Sequence, residues 1–426
     1  MLAASAGLAL LALGGPGSAQ AQTSVGTFAN FTAPKIWFRS GAADPAVNQL
    51  VAILKRAPFD GLATGPQLAA QVETSVAQAQ SGNPQDVANA ERVLSSAWVA
   101  YVQQVKRPTT GMIYAYPVLQ PRGSQPELIL LTAAGAPSLS AYLAQVSNVN
   151  PIYSQLRDTA WTEAQASGNL TPDPRLLANL DRVRSIPATG RFLVVDAGTS
   201  MLTLYENGAP IDSMKVITGT SELPTPLIAS YMYYITYNPY WHAPDHLVRK
   251  TIAPNVLKLG LNYFKSHGYD VIEDWSSDKV VDPKSIDWKA AASGSLHLKI
   301  RQDPGPLNSM GILKFPFPNP EDIYLHDTEA KVRFGDADLH QSNGCVRLED
   351  AHRFGRWLLG TDPVAPGPVP ETQVQVAQPV PIILTYLTAQ VTDQGLTFLR
   401  DVYGWDQPGA AQVAMAAMQA SRVPRD

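Results

Sequence analysis

A single cysteine, Cys345, occurs in the 426 residues, so no intrachain disulfide framework can hold this fold together. Long apolar runs are missing as well. The stretch from Leu2 to Leu13 is too short to span a bilayer, and no later stretch has the length and polarity of a span. Stable membrane insertion is therefore not expected. Charge is sparse at 16%, and 32 Lys plus Arg do not exceed 36 Asp plus Glu. That leaves no basic surplus for a nucleic-acid partner. No repeat of fixed period occurs. No CxxC or HExxH spacing occurs either, so neither metal nor cofactor is expected.

What is present is a globular composition, 45% hydrophobic, in a chain long enough for two or three domains. Proline is plentiful at 35 residues and predicts well-punctuated loops. The apolar start ends in Ala19-Gln20-Ala21, a small-x-small pattern that reads as a secretory signal (1–21) cleaved near Ala21. No Lys or Arg precedes Lys35, so the usual basic flank of such a signal is absent. The mature chain is expected outside the cytoplasm.

Residues 22–185 form a mainly helical region. In "NPQDVANAERVLSSAWVAYVQQVKR", Asn83 caps and Pro84 opens the helix, and Val87, Ala90, Leu94, Trp98, Tyr101 and Val105 recur at three- and four-residue steps. Further helices are expected over 66–80, 138–147, 152–166 and 174–184. Near 187 the texture turns to alternation and β-branched residues, with Asn207-Gly208 as a hairpin turn. Strand-like runs return at 229–237, 296–301, 321–326, 379–386 and 395–399. The fold class is thus α+β, with a mainly β domain over 186–405 and a C-terminal tail over 406–426 that can close as a helix. Within the β domain, 239–294 is long, partly helical and rich in aromatics, which predicts a lid. Tyr240, Trp241, Tyr263, Phe264 and Trp275 carry that reading.

A lone thiol in an exported chain is either a small buried hydrophobe or a working nucleophile. As a nucleophile it needs a base close by. In "EDIYLHDTEA", Ile323 and Leu325 alternate with Tyr324 and His326, which puts the tyrosine and histidine on one strand face. His326 precedes Cys345 by 19 positions, close enough for one connection to bring them together. Gly344 permits a tight turn at which backbone N–H groups can face an oxyanion. Arg347 can face the same way and pair with a carboxylate. Asp327 points to the opposite strand face. A zinc site from His326, His340 and Cys345 finds no supporting spacing, and the pair His242 and His246 has Pro244 between them.

"IYLHDT" followed by "SNGCVRLED" resembles the catalytic signature of the L,D-transpeptidase (YkuD-type) family. "YNPYWHAP", "HGYDVIEDW" and "RQDPGPLNSMGILKFPFPN" resemble its large proteobacterial subgroup, which has a capping segment and a helical scaffold domain. The resemblance implies a YkuD-type β-sandwich with the 239–294 insertion as its lid. It implies a periplasmic enzyme acting on donor and acceptor peptidoglycan stem peptides. Cys345 would attack the carbonyl at the L-centre of diaminopimelate, expel D-alanine and form a thioester that an acceptor amine resolves. His326 would be base and then acid, oriented by the Asp327 carbonyl. The backbone N–H groups of Asn343, Gly344 and Cys345 would form the oxyanion hole, supplemented by Tyr324. Ser342, Tyr324, Arg347, Tyr240 and Trp241 would contact substrate. Many relatives carry histidine where this chain has Asn343, so only a backbone role transfers there. No wall-binding module fits between 44 and 185, which resembles a compact branch making 1,3 rather than 3,3 links. An L,D-carboxypeptidase and an inactive wall-binding scaffold are the alternatives. Oligomeric state is not legible.

Overall fold

The computed structural model describes residues 34–276 and 279–422, so the signal segment expected up to Ala21 lies outside the described residues. The first part is helical: α1 (Ala46–Arg56), α2 (Gly65–Ala79), α3 (Pro84–Val105), α4 (Pro126–Gly135), α5 (Leu139–Ser147), α6 (Pro151–Ser167) and α7 (Pro174–Val183). Proline stands in the first turn of α2, α3, α4, α6 and α7, where its missing N–H costs nothing. Asn83 caps α3 by accepting from the Gln85 N–H at 2.8 Å. The apolar stripe of α3 buries Leu94, Trp98, Tyr101 and Val105 among α1, α2 and α5. At the base of this bundle, buried Asp60 accepts from Tyr101 (3.2 Å), Tyr153 (3.1 Å) and Arg157 (3.2 Å) and so ties α3 to α6.

The β part begins with a strand lent by the helical region, β1 (Ile113–Tyr114). Then follow β2 (Phe192–Asp196), β3 (Met201–Glu206), β4 (Ala209–Gly219) and β5 (Ile228–Tyr237). The inserted segment contributes β6 (Trp241–Ala243), β7 (Tyr269–Ile272), β8 (Val280–Val281) and β9 (Lys299–Gln302). The main sheet resumes with β10 (Leu313–Pro316), β11 (Tyr324–His326), β12 (His340–Ser342), β13 (Val346–Leu348) and β14 (Thr372–Thr385). A final hairpin joins β15 (Ala389–Thr392) to β16 (Gly395–Phe398).

The main order runs β5-β10-β11-β13-β4-β3-β2-β14, and β14 also pairs with β5. The strands therefore close into a circuit through one 14-residue strand, β14, which pairs with both β2 and β5. Its interior is filled by Leu202, Val216, Met232, Phe315, Leu325, Val346, Phe354 and Ile382.

The insertion leaves β5 at Asn238 and returns beside Ile312, whose carbonyl accepts the Asn238 N–H at 3.1 Å. It has its own core of Val248, Ile252, Phe264, Trp288 and Ile300. Alongside helices Ala253–Leu259 and Trp288–Ser293 it carries a four-stranded antiparallel sheet, β6-β9-β7-β8. β9 lies beyond 294, so the unit runs further than the sequence texture indicates, and the strand-like run at 296–301 belongs to it.

The helical region is welded to the β part rather than tethered to it. Leu176, Leu180 and Val183 of α7 pack with Phe192, Val194, Ile383 and Trp405. Buried Arg182 donates to Asp406 at 2.7 Å and to the Trp405 carbonyl at 2.7 Å. The tail closes as a helix, Ala410–Arg422, with Ala411 and Met415 in the same junction. No helix among the described residues is long and apolar enough to cross a membrane.

Candidate active site

β10, β11 and β13 set the site by register alone. His326 is opposite Lys314 on one side and Arg347 on the other, while Leu325 is opposite Phe315 and Val346. Because successive side chains alternate faces, Leu325, Phe315 and Val346 enter the core and Lys314, His326 and Arg347 stand together on the outer face. One residue beyond the registered pairs, Tyr324 comes level with Cys345, so the phenol and the thiol share a face. The Cys345 Sγ also lies 3.9 Å from the Asp322 carbonyl oxygen. One face thus gathers the thiol, the imidazole, a phenol and two cations.

His326 is buried, and its Nδ1 lies 2.5 Å from the Asp327 carbonyl oxygen. That carbonyl can only accept, so Nδ1 carries the proton and Nε2 is left as the basic nitrogen. Burial, then the positive charge of Arg347, push the imidazole down to about 3. The ring is neutral at neutral pH. Burial likewise pushes the Tyr324 phenol well up, so it remains a donor. The Asp327 carboxylate turns away, pairing with Lys331 at 2.7 Å and accepting the Ile312 N–H at 3.1 Å.

The turn before Cys345 is built by Ser342 and Gly344. The Ser342 hydroxyl donates to the Cys345 carbonyl at 2.5 Å and accepts the Gly344 N–H at 3.1 Å. The Gly344 N–H is thus donated to Ser342 within the turn. Gly344 also supplies a φ of +108°, which side-chain-bearing residues rarely adopt. Ser342 is 2% exposed, and its hydroxyl shapes the turn at the wall of the cavity. Asn343 is exposed at the turn's tip. His340 does not join the site: its ring nitrogens meet Asp338 and the Ala197 carbonyl, each at 2.7 Å.

Cys345 and His326 open into a cavity of about 1080 Å³ roofed by the insertion, with Tyr240, Trp241, His242 and Trp275 in its lining. Of the five lid aromatics, Tyr240, Trp241 and Trp275 face this cavity. Phe264 is instead core of the inserted unit, and Tyr263 packs against that core. No group of three or more metal-ligating side chains occurs among the described residues.

Residues 190–376 match the L,D-transpeptidase catalytic domain family (YkuD), and residues 30–159 match a scaffold domain family. The catalytic part of this chain belongs to the L,D-transpeptidase family. Along most of its length the chain is also similar to a Haemophilus influenzae protein named "Putative L,D-transpeptidase". The two are 26% identical over 382 residues, covering 87% of this chain and 76% of the relative. The family is one of cysteine-dependent acyltransferases acting on peptidoglycan peptides.

Several wall residues of this candidate site escape a reading of the sequence. Lys314, Arg333, Glu329 and His242 line the cavity, yet each sits in a local pattern typical of a solvated strand edge or loop. Only the register of β10 against β11 reveals Lys314 as the neighbour of His326. Burial pushes the His242 ring down, so it too is a neutral wall group at neutral pH.

Proposed function

We propose that this protein is a periplasmic L,D-transpeptidase that cross-links peptidoglycan stem peptides through a thioester on Cys345. The observation that carries the reading is the placement of Cys345, immediately before β13, beside the parallel strand β11 that ends in His326, with both opening into one covered cavity. The Nε2 of His326 takes the thiol proton as Sγ attacks the carbonyl carbon of an L-residue in the donor stem. The tetrahedral oxyanion is met by the Tyr324 hydroxyl and the backbone N–H of Cys345, with the exposed Asn343 at the rim. Collapse breaks the C–N bond, and His326 returns its proton to the departing amine. An acceptor amine then attacks the thioester, gives its proton to His326, and leaves an amide and a restored thiol.

A neutral imidazole suits this cycle, because the proton moves only when the substrate carbonyl is in place. Arg347 and Lys314 offer positive charge to stem-peptide carboxylates beside the base. Transfer is favoured over hydrolysis because the roof holds a second peptide and excludes water at ~55 M from the thioester. The compact helical region favours the 1,3 link over the 3,3 link. Purified enzyme given disaccharide-tetrapeptide should yield dimers whose fragmentation names the joined residues, and Cys345→Ala should yield none. Dimers from Cys345→Ala would overturn the reading, and tripeptide without dimer would make it a carboxypeptidase.

A further inference from the structure

A shelf of tyrosines leads away from the thiol cavity on the same outer face. Core-facing residues of β5 switch from Ile228 and Met232 to Ile235 and Tyr237. The opposite side therefore carries Tyr231 and Tyr233, then Tyr234 and Thr236. Thr236 is registered against Lys314, which is registered against His326, so this is the face of the active site. Tyr234 lines a hollow of about 360 Å³ with Pro316 and Asn319. That hollow shares Lys314, Asp322, Ile323 and Tyr324 with the main cavity and so adjoins it.

Beyond Tyr234 the helical region adds a ring of its own. Tyr116, just past β1, stands edge-on to Tyr231 at 5.5 Å and tilted to Tyr233 at 6.1 Å, and Tyr231 and Tyr233 are 6.3 Å apart. All four tyrosines are half-buried, keeping part of each ring in solvent. The cluster of Tyr116, Tyr231 and Tyr233 is uncharged. A tyrosine offers a rigid apolar face and a polar edge at low entropic cost. The same alternation describes a pyranose ring, with C–H groups on its faces and hydroxyls at its rim.

We propose that this shelf is the glycan subsite of the enzyme, holding the amino-sugar strand from which the bound stem peptide hangs. The inference rests on the transpeptidase reading and extends it from peptide to sugar. A stem peptide at Cys345 remains covalently tied to its glycan, which must leave the covered cavity along an open side. The hollow at Tyr234 is such an exit, and it delivers the strand to Tyr116, Tyr231 and Tyr233.

The test compares acylation of Cys345 by disaccharide-tetrapeptide with acylation by the same tetrapeptide lacking sugars. In wild type the sugar-bearing donor should have the lower KM. The double variant Tyr231→Ala/Tyr233→Ala should lose about tenfold of that advantage while the bare tetrapeptide reacts as before. Tyr231→Phe/Tyr233→Phe, which keeps the ring faces, should retain most of it. A second arm measures binding of peptide-free glycan strands to Cys345→Ala, with and without the tyrosine substitutions. Equal losses for both donors, or glycan binding that ignores the substitutions, would overturn the shelf. Glycan binding that depends on the tyrosines, with no acylation by either donor, would overturn the transpeptidase reading and leave the sugar site standing.

Discussion

His326 lies directly opposite Arg347 in the parallel pairing of β11 with β13, so a permanent cation stands beside the catalytic-base candidate. Together with burial, that cation holds the imidazole at about 3. Arg347 is itself half-buried, with Glu329 and Arg333 in its field. Replacing Arg347 by Gln removes one of the two named causes and should raise the His326 value toward the ordinary range. The acid limb of the acylation rate of Cys345 should then move to higher pH. An acid limb that stays in place would show that Arg347 does not set the protonation of the base.

The same depression makes the fold acid-sensitive. In the unfolded chain a histidine titrates near 6.5, whereas the folded His326 titrates at about 3. Between those values the unfolded state binds the extra proton, so stability is full above about pH 6.5 and falls as pH drops. The slope is about 1.4 kcal/mol per pH unit from this one group. Urea midpoints of wild type and His326→Gln, measured from pH 7 to pH 4, should diverge, with the variant flatter. Parallel curves would contradict the assignment.

Gly344→Ala should damage the site more than the fold. The position has a φ of +108°, and an added Cβ would come within 3.3 Å of the Ile323 side chain. Strain of this kind is worth on the order of 1–3 kcal/mol. The cheapest relief is a shift of the turn, which carries Cys345 with it. Acylation should fall by at least about tenfold while the thermal midpoint drops only a few degrees. Normal acylation in this variant would mean the turn's geometry is not what positions the thiol.

The inserted unit can be removed without cutting the ring. Asn238 and Ile312 are already hydrogen-bonded neighbours, so residues 240–310 can be replaced by a two-residue hairpin turn. The shortened protein should fold, and its thiol should still react with a small activated acyl donor. Its product ratio should shift from dimer to hydrolysed tripeptide, because the roof over the thioester is gone. An unchanged ratio in a folded variant would show that the insertion does not shape the acceptor site.

Asp406→Ala strands Arg182 without its carboxylate partner at the junction of α7 and the β part. Asp406 also accepts from Thr388 at 2.8 Å, so the loss reaches the final hairpin. Breaking one side of a buried ion pair costs about 3–5 kcal/mol. Chemical denaturation should show that loss, or a split into two transitions as the helical region unfolds separately. A single transition at the wild-type midpoint would count against the weld.

Local chemistry determined a large part of this protein. Alternation in "IYLH" places Tyr324 and His326 on one face because strand side chains alternate wherever the strand lies. Prolines and caps announce α3, α6 and α7 because helix termini leave N–H groups that only certain residues satisfy. The lone thiol beside a glycine marks Cys345 without any knowledge of the fold.

Tertiary structure decided what depends on a distant partner. Alternation reports which side of a strand is buried, but not which strand lies beside it. Sequence pattern therefore could not foretell that Lys314 flanks His326, or that β14 closes the ring by pairing with both β2 and β5. The length of the insertion was hidden for the same reason, since β9 pairs with β6 and β7 instead of the main sheet. Nor does a glycine's position say where its N–H goes. Gly344 donates to Ser342 because the turn folds back on itself, a pairing that only the folded turn shows, at a φ of +108° just before Cys345.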